Sequence, residues 1–117
     1  MTEVASRTVA SVAEALGLTV AGGENHLAVP VTGAQVCDLL SFVISHGRQG
    51  HLWITIQTHP NIIAAASLAG LSAIIIASGF EPEDETIDRA DEQGIALLTS
   101  KESAFTLAGE VYKLGFR

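Results

Sequence analysis

Five consecutive residues, Gln57-Thr58-His59-Pro60-Asn61, bring two amides, a hydroxyl and an imidazole to a place where a strand should hand over to a helix. Unbonded N–H groups at a helix start attract negative charge. This segment therefore has the chemistry to hold a small anion or the polar part of a nucleotide. A structural role competes with that reading. Thr58 and His59 can cap the helix while Gln57 and Asn61 satisfy loop backbone. Further polar residues follow other apolar runs: Asp38, then Ser78 and Gly79, then Thr99 and Ser100. In open α/β sheets ligands collect beyond the carboxyl ends of the strands. The candidate ligand-binding set is accordingly Asp38, Gln57, Thr58, His59, Asn61, Ser78, Gly79 and Thr99. Asp38 opposes an anion unless it accepts from a ribose hydroxyl or a ring N–H.

Sharper chemistries find less support. A phosphoacceptor needs a carboxylate after a central strand, and Gln57 stands there. The phosphate-binding loop G-x-x-x-x-G-K-[ST] is absent. Cys37 and His59, with Asp38 orienting the imidazole, are the one conceivable nucleophile pair. A lone cysteine at a strand end more often serves as a small buried hydrophobe. His26, His46, His51 and His59 lack metal-ligand spacing, and the acidic run from Glu81 to Glu92 reads as a solvated helix face. No catalytic residue, metal site or cofactor is expected.

The elements that must position the polar set follow from periodicity. Thr8 caps a helix from Val9 to Leu16 that Gly17 stops, and Leu18 to Ala21 is a short strand of uncertain regularity. Gly22 to Asn25 has turn chemistry, and Val29 to Cys37 is extended. Asp38 is a suitable N-cap for a helix from Leu39 to His46, closed by Gly47. Leu52 to Ile56 is a strand, and Pro60 opens a helix through Ala69 that is apolar nearly all round and should be buried on several sides. Ala73 to Ala77 is the most hydrophobic strand. Pro82 to Gln93 is an amphipathic helix with Glu85 and Arg89 at i,i+4, and Gly94 separates it from a strand over Ile95 to Leu98. Thr99 and Glu102 have capping-box spacing for a last helix burying Phe105, Ala108, Val111 and Tyr112. Strands alternating with helices imply a mainly parallel sheet of about four or five strands flanked by helices.

Composition agrees. The chain has 117 residues, the size of one domain, and 48% are hydrophobic while 16% are charged. Such a surplus is expected from both a sheet covered on both faces and an oligomer interface. A formal net charge of −7 disfavours nucleic acid and anionic membrane as partners. Cys37 has no second cysteine to pair with, Met1 to Arg7 lacks a secretory pattern, and no apolar run reaches the roughly 20 residues of a membrane span. The cytoplasm is the expected location.

Two stretches carry a resemblance. Val31-Thr32-Gly33-Ala34-Gln35-Val36-Cys37-Asp38-Leu39-Leu40-Ser41 and Leu52-Trp53-Ile54-Thr55-Ile56-Gln57-Thr58-His59-Pro60-Asn61-Ile62, with the spacing onward through Ser78-Gly79-Phe80-Glu81-Pro82 to Thr99, resemble the DRTGG domain family. The literal string is absent, and Ser78-Gly79 stands where a glycine pair is expected. Members are similar to the N-terminal domain of bacterial HPr kinase/phosphorylase. They also occur appended to phosphotransacetylases and CBS-domain pyrophosphatases, where they look regulatory and often sit at a dimer interface. The resemblance implies the α/β fold, Asp38 and Gln57 to Asn61 as characteristic positions, and a tendency to form a homodimer. It implies no kinase or acyltransferase activity. Residues and resemblance together lead to a regulatory module for a small anionic or nucleotide-like metabolite. A protein-interaction or dimerisation domain acting on a separately encoded partner is the alternative. Trp53 lies mid-strand, where it packs in the core or at an interface, and with Phe42 and Phe80 it is an aromatic anchor such an interface could use.

Overall fold

Three apolar runs with few polar interruptions can only be central strands, because both of their faces must leave water. They are β3 (His51–Thr55), β4 (Ala73–Ile76) and β5 (Ala96–Thr99). The computed structural model describes residues 7–116. Residues 1–6 and 117, including most of the N-terminal stretch read above for targeting signals, lie outside the described residues. β1 (Thr19–Gly22) and β2 (Gly33–Val36) complete a five-stranded sheet in the order β1-β5-β4-β3-β2. β2 through β5 are parallel, in registers such as Gln35 with Trp53, Trp53 with Ile74, and Ile74 with Leu97. β1 runs antiparallel to β5, pairing Thr19 with Thr99, with an irregularity between Val20 and Gly22.

The helices are α1 (Val9–Leu16), α2 (Leu40–His46), α3 (Asn61–Ala69), α4 (Asp84–Gln93) and α5 (Ala104–Lys113). Alternation along the strands sorts them into two layers. Trp53, Ile74, Ile76 and Leu97 pack with Val43 of α2, Ile62 and Ala66 of α3, and Ala90 of α4. Leu52, Ile54, Ile75 and Leu98 pack on the opposite face with Val9 and Val12 of α1 and Leu107 and Val111 of α5. From β2 to β5 each strand lies beside its predecessor, so the three crossover helices share one face. Among the described residues no helix is long and apolar enough to cross a membrane.

Local signals set several boundaries as expected. The Thr8 hydroxyl accepts from Ser11 N–H while Thr8 N–H donates to Ser11 Oγ, and Gly17, Gly70 and Gly94 end their helices in the left-handed conformation. Glu85 and Arg89 meet at 2.9 Å. At the start of β3, burial beside Gly33 and the neighbouring Arg48 charge lower the pKa of His51.

Six expectations need correction. The extended stretch from Val29 yields a strand only from Gly33, because Val31 and Thr32 donate their N–H groups to Arg7 and Gly50 instead of to a neighbouring strand. Asp38 does not cap α2. Its carboxylate accepts from Thr55 Oγ1 at 2.8 Å and Ile56 N–H at 3.0 Å, and the helix starts at Leu40 without a side-chain cap. α3 buries Ile62, Ile63, Ala65 and Ala66 but leaves Leu68 74% exposed, since an outer-layer helix keeps one side in solvent. Thr99 ends β5, and Ser103 caps α5 by accepting from Thr106 N–H. α5 buries Leu107 and Val111, leaving Phe105 and Tyr112 exposed. Trp53 is fully buried within the sheet, which removes it from the surface anchors.

Candidate functional site

Where two neighbouring parallel strands send their following helices to opposite faces, the chain parts and leaves a crevice at the strand ends. β4 leads into α4 on one face of the sheet, and β5 leads into α5 on the other. A cleft of about 900 Å³ lies at that end of the sheet. Leu16 and Gly17 at the end of α1, Thr19 and Ala21 of β1, and Ile87 of α4 line it. The loops after β4 and β5 add Ser78, Gly79, Glu81, Thr99, Ser100, Lys101 and Glu102.

Three of the eight expected residues, Ser78, Gly79 and Thr99, line this cleft. Ser78 (φ 66°) and Gly79 (φ 77°) are successive left-handed residues, and Ser78 is the one non-glycine with positive φ among the described residues. Their N–H groups do not form an open anion cradle. Ser78 N–H donates to Glu102 O at 2.7 Å and Gly79 N–H to Ser100 O at 2.9 Å, which fastens the β4 turn to the loop after β5. Ser100 Oγ in turn accepts from Glu102 N–H at 3.0 Å. An L-residue in the left-handed region costs about 1–2 kcal/mol, while glycine's extra freedom in the unfolded chain gives back part of any gain. Ser78→Gly should therefore raise stability by about 0.5–1 kcal/mol in urea titration. A destabilised variant would show that the serine side chain holds the turn.

The other five belong to the neighbouring strand ends. Asp38 and Gln57 lock together: Gln57 Nε2 donates to Asp38 O at 3.0 Å, and Gln57 N–H donates to Thr55 Oγ1 at 3.1 Å. Thr58 O accepts from Thr86 Oγ1 at 2.7 Å and Glu83 N–H at 3.3 Å, tying the loop to α4. His59 Nδ1 accepts from Asn61 N–H at 3.1 Å, and His59 O accepts from Ile62 N–H. The first N–H groups of α3 are thus engaged by the chain itself. The structure brings Asp38 and Gln57 together, keeps His59 with Asn61, and puts Ser78, Gly79 and Thr99 in the separate cleft.

Ser100 belongs to the polar rim read from the sequence, but Lys101 and the wall from α1 and β1 do not. The approach of β1 to β5 is a long-range pairing with no local signature. The charged residues lining the cleft are one cation, Lys101, and two carboxylates, Glu81 and Glu102. A bare anion gains little there. Hydroxyl-rich ligands with an apolar ring fit better, because Leu16, Ala21 and Ile87 supply apolar surface beside Thr99 and Ser100.

Fold and crevice define an open, mostly parallel α/β domain with a polar cleft at its strand ends. The DRTGG domain model matches residues 11–114, and the chain belongs to that family. The fold is also similar to part of a solved chain that holds the CBS and DRTGG domains of the regulatory region of Clostridium perfringens pyrophosphatase, a structure solved with its activator, diadenosine tetraphosphate. The TM-score is 0.74 at 17% identity, and the match covers 97% of this chain. The chain spans about half of that solved one, 49%. No curated protein sequence matches.

Proposed function

We propose that this DRTGG domain is a cytoplasmic regulatory module that binds a nucleotide-like metabolite in the cleft beyond β4 and β5 and has no catalytic activity of its own. The carrying observation is the crevice itself, which opens where α4 and α5 leave the sheet on opposite faces. Thr99 and Ser100 offer hydroxyls, Glu81 and Glu102 accept from ribose hydroxyls, Lys101 takes a phosphate, and Ile87 lies against the base. Asp38, Gln57, Thr58, His59 and Asn61 hold the adjoining strand ends in place. The nucleotide activator in the C. perfringens regulatory region supports the ligand class.

Titration calorimetry with AMP, ATP and diadenosine tetraphosphate tests this. At least one should bind, and Lys101→Ala and Thr99→Val should each weaken it at least tenfold. Loss of binding on Gln57→Ala with His59→Ala, and not on those two, would move the site to the end of β3. No heat with any of the three ligands would overturn the ligand reading.

A second reading, a homodimeric interaction domain, draws support from the exposed Phe105, Tyr112, Phe42 and Val36 side chains. The two readings are compatible. A regulatory domain can pair with its own copy and still carry a ligand.

A further inference from the structure

A ligand in the cleft beyond β4 and β5 meets three ionised side chains, and none of them is spent on another. Lys101, Glu81 and Glu102 are exposed, and none makes a hydrogen bond or ion pair through its side chain with a described residue. The cleft thus presents one ammonium against two carboxylates. A site built for a chain of phosphates ordinarily adds backbone N–H groups to its cations. Here those groups are taken. Ser78 N–H goes to Glu102 O, Gly79 N–H to Ser100 O, Phe80 N–H to Ala77 O, Ser100 N–H to Ile76 O and Glu102 N–H to Ser100 Oγ. At the start of α5, Ser103 Oγ accepts from Thr106 N–H. Lys101 is the one full positive charge that the lining offers an anion.

Each added phosphate shifts that balance. A terminal phosphate carries about −1.5 to −2 at neutral pH, and every further phosphate in a chain adds negative charge. One such group can pair with Lys101 and leave a ribose to Glu81 and Glu102. A second and a third have no cation to meet and lie in the field of the two carboxylates. The wider surface adds to this. The run from Glu81 to Glu92 holds more than half of the chain's thirteen acidic residues and a single base, Arg89, which Glu85 already holds at 2.9 Å. A field of like sign lowers the local concentration of a polyanion and disfavours it against a less charged competitor.

We propose that the cleft selects its ligand by charge, taking a nucleoside or nucleoside monophosphate and excluding tri- and tetraphosphates, with Glu81 and Glu102 as the discriminating residues. This rests on the nucleotide reading above and narrows its ligand class. Titration calorimetry in metal-free, low-salt buffer tests it with adenosine, AMP, ATP and diadenosine tetraphosphate. AMP should bind at least tenfold more tightly than ATP or diadenosine tetraphosphate, and Lys101→Ala should remove its advantage over adenosine. Glu81→Gln with Glu102→Gln keeps side-chain size at two exposed positions and leaves the backbone bonds of Glu102 in place, so the fold should be kept. That double variant should shrink the AMP-to-ATP affinity ratio at least threefold. ATP or diadenosine tetraphosphate binding as tightly as AMP would overturn the charge selection and leave the nucleotide reading standing. A ratio unmoved by the double variant would overturn the assignment of Glu81 and Glu102. No heat with any of the four ligands would overturn the nucleotide reading, and the selection with it.

Discussion

Gly23→Ala should destabilise the domain by about 4 kcal/mol or more, a large share of the roughly 5–15 kcal/mol that holds a native domain together. Gly23 follows β1 with φ 67°, so any side chain there first incurs left-handed strain of about 1–2 kcal/mol. The larger part is overlap. A Cβ would stand 2.7 Å from the Ile95 carbonyl carbon and 2.9 Å from Ala96 Cα, backbone atoms at the entry to β5. The turn cannot swing away to relieve this, because Gly23 N–H donates to Asp91 Oδ1 at 2.7 Å. Gly17→Ala is the matched control. Gly17 has nearly the same φ, 65°, but nothing lies within 4 Å of its Cβ position, so strain of about 1 kcal/mol is the whole effect. Urea unfolding of both variants separates overlap from strain. Equal losses in the two would refute the close approach of this turn to β5.

Trp53→Ala is the second large effect, about 3–5 kcal/mol from a cavity in the middle of the sheet. Trp53 is wholly buried in the layer that holds α2, α3 and α4. Its indole Nε1 also donates to Cys37 O at 2.7 Å, joining β3 to the segment that carries Asp38. Trp53→Phe keeps most of the apolar volume but leaves that carbonyl without its donor, and should cost about 1–3 kcal/mol. Chemical denaturation measures both. If the two substitutions were equally damaging, the hydrogen bond rather than the packing would dominate. If Trp53→Phe were neutral, the Cys37 carbonyl would have another partner in solution.

Much of the architecture could be read from local chemistry, and the exceptions share a cause. Thr8, Gly17, Gly70 and Gly94 act within a turn of their own position, so their roles are visible in a short window of sequence. Asp38 has cap chemistry, but Thr55 and Ile56, brought close by the pairing of β2 with β3, offer its carboxylate two donors. Thr99 and Glu102 have capping-box spacing, but Thr99 is held in register by Ile76 on one side and Thr19 on the other. In α5 the stripe through Phe105 and Tyr112 competes with the one through Leu107 and Val111, and periodicity cannot say which meets the sheet. The candidate site followed the same division. Ser78, Gly79 and Thr99 were found because they follow strands. That they share a cleft with α1 and β1 depends on the side of the sheet α5 takes, which no nearby residue encodes.

The ladder between β1 and β5 joins Thr19 to Thr99, roughly eighty residues apart. On a ribosome, β1 leaves the exit tunnel long before β5, the strand it pairs with, is made. The parallel strands β2, β3 and β4 can pair in the order of their synthesis, each with the one before it. β1 must wait in an unpaired state until β5 emerges, and the cleft wall it supplies waits with it. The time taken to synthesise the stretch from β2 to β5 therefore governs how long this segment stays exposed to misassociation. Chaperone demand should be concentrated in that interval.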